Sequence, residues 1–158
     1  MWFNNKHDMA DIIISYEQIK EQFADYLRKK KQRRTPERYA LLDYIYNNEG
    51  YFSAEQLYDA LKKTFRVSLT TVYNNLNILI ECNLVVRHNF NGQNSFFERA
   101  LYETPPHYLV CCKCGAVKTF TDKKIRTSVE QKNFANFQPS HWSLYIYGKC
   151  KKCKKMQE

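Results

Sequence analysis

The stretch Ser68–Arg99, SLTTVYNNLNILIECNLVVRHNFNGQNSFFER, decides how this chain folds. Ser68 is placed to cap a helix, and Val72, Leu76, Leu79 and Ile80 recur on one side of it at helical spacing. Thr70, Asn74, Asn77 and Glu81 share the other side, with Thr71, Tyr73 and Asn75 flanking it. Asn83 suits the left-handed conformation that ends a helix. Leu84, Val85 and Val86 then run into Phe90, Asn91-Gly92 marks a tight turn, and Phe96, Phe97 and Glu98 return as a second strand.

The residues before this stretch read as helices. From Tyr16 to about Lys31, Tyr16, Ile19, Phe23, Tyr26 and Leu27 form an apolar stripe. That helix ends in Arg28, Lys29, Lys30, Lys31, Arg33 and Arg34, a cationic run that the helix dipole favours whether or not a polyanion is bound. Thr35 as cap and Pro36 at the first helical position start a second helix, with Tyr39, Leu42, Ile45 and Tyr46 inward, and Gly50 releases it. Ser53 and Gln56 make a capping box for a third, with Leu57, Leu61 and Phe65 inward. Helices joined by a short turn and followed by a hairpin are the order of a winged helix-turn-helix.

After the hairpin, Tyr102–Pro106 reads as a linker because its prolines block regular structure. The second part begins at His107. Leu109, Val110 and Cys111 form a strand into a Cys-x-x-Cys knuckle, Val117–Thr121 a strand, Asp122 to about Phe134 a helix, and Trp142, Leu144 and Ile146 a strand leading to a second knuckle. The expected class is α+β: a winged helix-turn-helix domain over 1–101, a hinge at 102–106 and a small α/β zinc-bearing dimerisation domain over 107–158. Its aromatic content fits either a core or a surface covered by a second copy.

Cys111, Cys114, Cys150 and Cys153 read as the ligands of one structural zinc per chain. Two residues between cysteines is the spacing at which a turn aims both sulfurs at one ion, and four thiolates leave no open position for chemistry. Ile12–Ile14 is too short an apolar run for a signal peptide, so a secreted disulfide framework is the weaker alternative and a reducing cytoplasm the expected compartment. No stretch is long and apolar enough to cross a membrane. The lysines at 149, 151, 152, 154 and 155 offset the negative charge of a zinc tetrathiolate.

The formal net charge of +9 makes a polyanion the first partner to consider. Thr, Asn and Tyr on the Ser68–Glu81 helix offer amides, hydroxyls and methyls suited to base edges, at a cost in helix propensity that Lys and Glu would avoid. Two other classes compete with a DNA-binding regulator. One is a zinc-ribbon module for protein partners; the other is a redox enzyme or sensor built on Cys82 or Cys112, for which no phosphate loop or paired acid and base appears.

Thr35-Pro36-Glu37-Arg38, Ser53-Ala54-Glu55-Gln56-Leu57-Tyr58, Thr70-Thr71-Val72-Tyr73-Asn74-Asn75-Leu76, Cys111-Cys112-Lys113-Cys114-Gly115 and His141-Trp142-Ser143-Leu144-Tyr145-Ile146-Tyr147-Gly148-Lys149-Cys150 together resemble the ferric uptake regulator (Fur) family. The resemblance covers nearly the whole chain. It implies a homodimeric winged-helix transcription regulator, with repressor among its expected roles, that binds a pseudo-palindromic operator in double-stranded DNA with Tyr73 on its recognition helix; Arg33, Arg34, Arg38, Thr70, Thr71, Asn74 and Asn77 are the other candidate DNA-binding residues. The family usually has Arg at the position of Asn74. Its regulatory metal is held by His and acidic residues, and here Tyr51, Pro105-Pro106-His107-Tyr108, Thr119 and Arg126 stand at those positions.

Glu98, His107 and His141 remain as candidate ligands for a second metal ion, iron(II), manganese(II) or zinc(II). The expectation is altered or absent iron sensing. Haem is a further cofactor to weigh, with His107, Tyr108, Cys112, Cys82 and His88 as its candidate axial ligands.

Overall fold

The computed structural model describes residues 15–92, 94–100, 106–139 and 141–155. They divide into two compact units, one comprising residues 15–89 and 94–100, the other 90–92 and 106 onward. The expected hinge lies outside the described residues except for Pro106, as do Ile12–Ile14.

The first unit opens with α1, Tyr16–Lys29, begun by a Ser15/Gln18 capping box and burying Ile19, Phe23 and Leu27. It stops in a Schellman motif: the Gln32 N–H donates to the Leu27 carbonyl at 2.8 Å and the Lys31 N–H to the Arg28 carbonyl at 3.1 Å. Lys31 takes the left-handed position usually given to glycine, at φ 54°. Helix α2, Pro36–Asn47, has Thr35 at its cap position, but the Thr35 side chain makes no capping bond; Pro36, already set for a helix, starts it. Its buried residues are Leu41, Leu42 and Ile45, with Tyr39 and Tyr46 only partly covered.

Strand β1, Phe52–Ser53, was not legible as a strand; it runs into α3, Ala54–Leu61, which starts at the expected Ser53/Gln56 box. Helix α4, Leu69–Glu81, is capped by Ser68 Oγ, which accepts from the Thr71 N–H at 3.1 Å. Its end repeats the Schellman geometry, with Asn83 at φ 58° and the Leu84 N–H on the Leu79 carbonyl at 2.9 Å. The hairpin follows as β2, Val85–His88, and β3, Phe96–Arg99, paired antiparallel with Val86 opposite Glu98. β1 joins the far side of β3, giving the order β1-β3-β2. One apolar cluster from α1 to β3 fills this unit, with Phe23, Leu42, Ile45, Leu57, Leu76 and Phe97 fully enclosed.

The second unit holds a sheet in the order β5-β4-β6: β4 is His107–Cys111, β5 Val117–Phe120 and β6 Tyr145–Gly148. β4 and β6 run parallel, joined through α5, Lys123–Glu130. α5 ends earlier than its sequence reading because no apolar residue recurs until Phe134, and the backbone turns left-handed at Ala135. β6 begins at Tyr145 rather than Trp142, and a one-turn helix, α6, Lys151–Lys155, closes the described chain. The core is small: Phe90, Tyr108, Val110, Cys111 and Cys153 are buried, while α5 has no buried residue.

Candidate metal centre and nucleic-acid interface

Strand β4 ends on Cys111, the turn to β5 carries Cys114, β6 leads into Cys150, and α6 turns Cys153 back toward them. Gly115, at φ 72°, provides the left-handed residue that closes the first knuckle. All four Sγ atoms lie within 4.8 Å of one another, and the Cys114 and Cys150 sulfurs are 3.7 Å apart. Four sulfurs about 2.3 Å from one ion in a tetrahedron are separated by about 3.8 Å. The sequence pattern and the geometry thus describe the same closed site, and the donor set fits zinc.

The thiols are prepared for an ion. Backbone N–H groups, first that of Cys150 and then those of Cys114 and Lys113, hold the Cys111 thiol down to about 6. Cys150 is lowered in the same manner, first by the Cys153 N–H. Burial, followed by hydrogen bonding to the other sulfurs, pushes Cys153 up to about 12. Four adjacent sulfurs cannot all ionise unaided, and a divalent cation is what allows the last to give up its proton.

In the first unit, Thr70, Asn74, Asn77 and Glu81 form the exposed side of α4, and Val72, Leu76 and Leu79 its buried side. Tyr73 is half-buried, edge-on to Phe97 with ring centroids 6.3 Å apart, and its hydroxyl donates to Glu55 at 3.4 Å. Thr71 is half-buried against Ser68, their hydroxyl oxygens 2.9 Å apart. Asn75, which the helical wheel puts beside the polar face, is 7 % exposed and accepts from Arg38 Nε at 3.2 Å. Arg38 also donates to the Arg33 carbonyl at 2.6 Å and to Gln32 at 3.0 Å. Its guanidinium ties the basic turn to α4, which is a different role from a free phosphate contact. Arg33 and Arg34 are exposed on that turn, Arg34 also reaching the Ala24 carbonyl at 3.4 Å.

The candidates for a second metal have other surroundings. In the first unit Glu98 is buried, with His88 Nε2 3.0 Å from its carboxylate, and its charge helps burial raise the Tyr51 phenol. In the second unit His107 is 1 % exposed between Phe120 and Trp142, with ring centroids at 5.1 and 5.3 Å, and its Nδ1 has no hydrogen-bond partner among the described residues. His141 is exposed. Among the described residues, the four cysteines are the only group of three or more such side chains gathered for an ion.

Four of the five candidate haem ligands, His107, Tyr108, Cys82 and His88, are buried. Tyr108 stacks on Tyr145 at 5.3 Å. Cys82 is buried and donates to the Leu79 carbonyl at 3.4 Å, and burial pushes its thiol up to about 11, a setting that disfavours the thiolate. Cys112 is exposed beside the knuckle.

The pattern of the Ferric uptake regulator family matches residues 29–147. This chain belongs to that family. Among its relatives are the peroxide-responsive repressor PerR of Staphylococcus epidermidis, 33% identical over 81% of this chain and 85% of that protein, and the peroxide operon regulator of Bacillus subtilis, 34% identical over 83% and 90%. The ferric uptake regulator of Pseudomonas aeruginosa, solved with manganese, superposes with a TM-score of 0.68 at 32% identity, covering 81% of this chain and 97% of that one.

The Pseudomonas aeruginosa regulator was solved with manganese, and this Fur-family chain offers two different sets of candidate metal donors. Its four-cysteine cluster suits zinc in donor type and spacing. Glu98 is buried against an imidazole, His107 lies between aromatic rings, and among the described residues no group of three or more such side chains includes Glu98, His107 or His141.

Proposed function

We propose that this protein is a dimeric, DNA-binding transcriptional regulator of the Fur type, stapled by one zinc at Cys111, Cys114, Cys150 and Cys153, whose DNA binding does not depend on iron or manganese. The observation that carries the reading is α4: a capped helix next to a hairpin, with an outward side of uncharged amides and hydroxyls, Thr70, Asn74 and Asn77. In a winged helix-turn-helix such a helix enters the major groove and its early residues meet base edges. Arg33 and Arg34, on the exposed turn after α1, supply phosphate contacts. The relatives' roles as repressors support repression.

Dimer formation is supported by the second unit. Leu109 and Ile146 lie in register on neighbouring strands and are 40% and 45% exposed, and half-buried Ile125 and Val129 sit on α5. A unit with so small a core gains stability by covering that surface with a second copy. The protein works in the cytoplasm, where its thiols stay reduced, and it is not an enzyme: burial disfavours the Cys82 thiolate, and four-sulfur ligation leaves zinc no open position.

Fluorescence anisotropy of the zinc-loaded protein tests this, using a duplex enriched from a random-sequence pool and a scrambled control. Affinity for the enriched duplex is expected to fall about 10³-fold or more between about 50 and about 200 mM salt. Tyr73→Ala should weaken the enriched duplex about tenfold and the control much less. Binding that ignores salt, or no enrichment at all, would return the chain to the class of protein-binding zinc modules.

A further inference from the structure

The sequence of α4, Leu69–Glu81, contains no Lys or Arg, and its only formal charge is the carboxylate of Glu81. A helix that enters a groove between two phosphate backbones without a cation gains nothing from counterion release along its own length. The fold brings a cation to it from elsewhere. Arg87 is the exposed residue of β2, and its Nη2 donates to Asn77 Oδ1 at 2.6 Å. The guanidinium carbon also lies 5.5 Å from the centre of the Phe97 ring, the residue opposite Arg87 in the hairpin register. Phe97 is fully enclosed, and the backbone of Asn77 is held in a capped helix.

The charge is felt on the outward side of α4. Burial and the Glu55 carboxylate raise the Tyr73 phenol, and Arg87 opposes them. Arg38 also touches α4, but at buried Asn75; Arg87 is the cation that meets the exposed side among the described contacts.

We infer that Arg87 is a phosphate-binding residue that the wing supplies to the recognition helix, held over the third turn of α4 by Asn77 and Phe97. Position within the helix chooses phosphate over base. Residues at the start of a recognition helix reach base edges, and later turns rise toward the groove wall, where the backbone runs. Asn77 belongs to those later turns. One hydrogen bond to Asn77 leaves the planar guanidinium with further N–H donors, the geometry that pairs with phosphate oxygens.

The inference rests on the DNA-binding reading, and the two fail separately. The full-length, zinc-loaded protein and its Arg87→Gln and Arg87→Lys variants are titrated with the enriched and scrambled duplexes across a salt series. Each phosphate contact contributes about 0.9 to the log–log salt slope, so Arg87→Gln should flatten it by about 2 for a dimer. The loss should be similar on both duplexes, and Arg87→Lys should keep the slope. Methylphosphonate substitution, one position at a time, gives a second readout: a phosphate important to the wild type should cease to matter in Arg87→Gln. A wild type that ignores salt overturns the DNA-binding reading itself. A steep wild-type slope unchanged in Arg87→Gln, or a loss confined to the enriched duplex, overturns the phosphate assignment. Where Arg87→Gln alters the fold by circular dichroism, the wild-type methylphosphonate scan decides: the assignment requires a sensitive phosphate in each half-site that Arg87→Lys still recognises, and it falls without one.

Discussion

Replacing Cys150 by Ser is expected to release zinc, abolish cooperative unfolding of the second unit and convert the dimer to monomers. Structural zinc contributes an apparent free energy of about 10–16 kcal/mol in small metal-held domains, as large as the whole stability of many domains. The second unit has little else to fall back on. Among the described residues its buried apolar ones are Phe90, Tyr108, Val110, Cys111 and Cys153, two of which are themselves sulfur ligands, and α5 contributes no buried residue. Loss of the dimer removes the avidity of two half-site contacts, so operator affinity should fall by about 10²-fold or more. Elemental mass spectrometry, light scattering and the anisotropy titration read the three consequences. A zinc-free Cys150→Ser protein that remains a folded dimer would refute the staple.

Arg38→Ala carries the second large effect, and its sign separates a structural from a contact role. The guanidinium bonds buried Asn75 on α4 and the Arg33 carbonyl and Gln32 side chain on the basic turn. Removal leaves the Asn75 amide oxygen buried without its Arg38 partner and unties the turn bearing Arg33 and Arg34. Loss of hydrogen bonds to a charged group costs about 1.5–3 kcal/mol each way of counting, or roughly 10 °C in melting temperature for a unit of this size. DNA affinity should fall with it. A variant that melts like the wild type and loses only affinity would make Arg38 a direct DNA contact, the role expected of it in the sequence analysis.

Local chemistry was legible. Ser53 with Gln56, Ser68 and Asn83 each encode a start or stop in neighbouring residues, and each occupies that place in the structure; the tight turn expected at Asn91-Gly92 does not form as such, because β2 ends at His88 and β3 starts only at Phe96, with both residues in bends between them. The two Cys-x-x-Cys pairs foretold a closed four-sulfur site because metal geometry fixes their spacing. What escaped depends on partners distant in sequence. β1 is a strand only because Phe52 and Ser53 pair with Phe97 and Phe96. Asn75 looks like a flank residue on a helical wheel, and only Arg38, 37 residues away, accounts for its burial.

The candidate site divides along the same line. The exposed face of α4 was readable from periodicity, whereas Arg87 reads as an ordinary outward strand residue until β2 is laid beside Asn77. Glu98 matches a ligand type by sequence, but its partner His88 is ten residues earlier and faces it only once the hairpin closes. α6 was missed because a single turn held by metal ligands has no hydrophobic period to detect.

The central claim is a DNA-binding regulator held by structural zinc and free of the iron or manganese requirement. It is tested most directly by titrating one enriched duplex with zinc-loaded protein after EDTA treatment, alone and with added iron(II), manganese(II) or excess zinc(II) under anaerobic conditions. The account predicts tight binding without added metal and superimposable curves in every case. Binding that appears only on adding one of these ions, or tightens by tenfold or more, would show that a regulatory site still forms and would contradict the account.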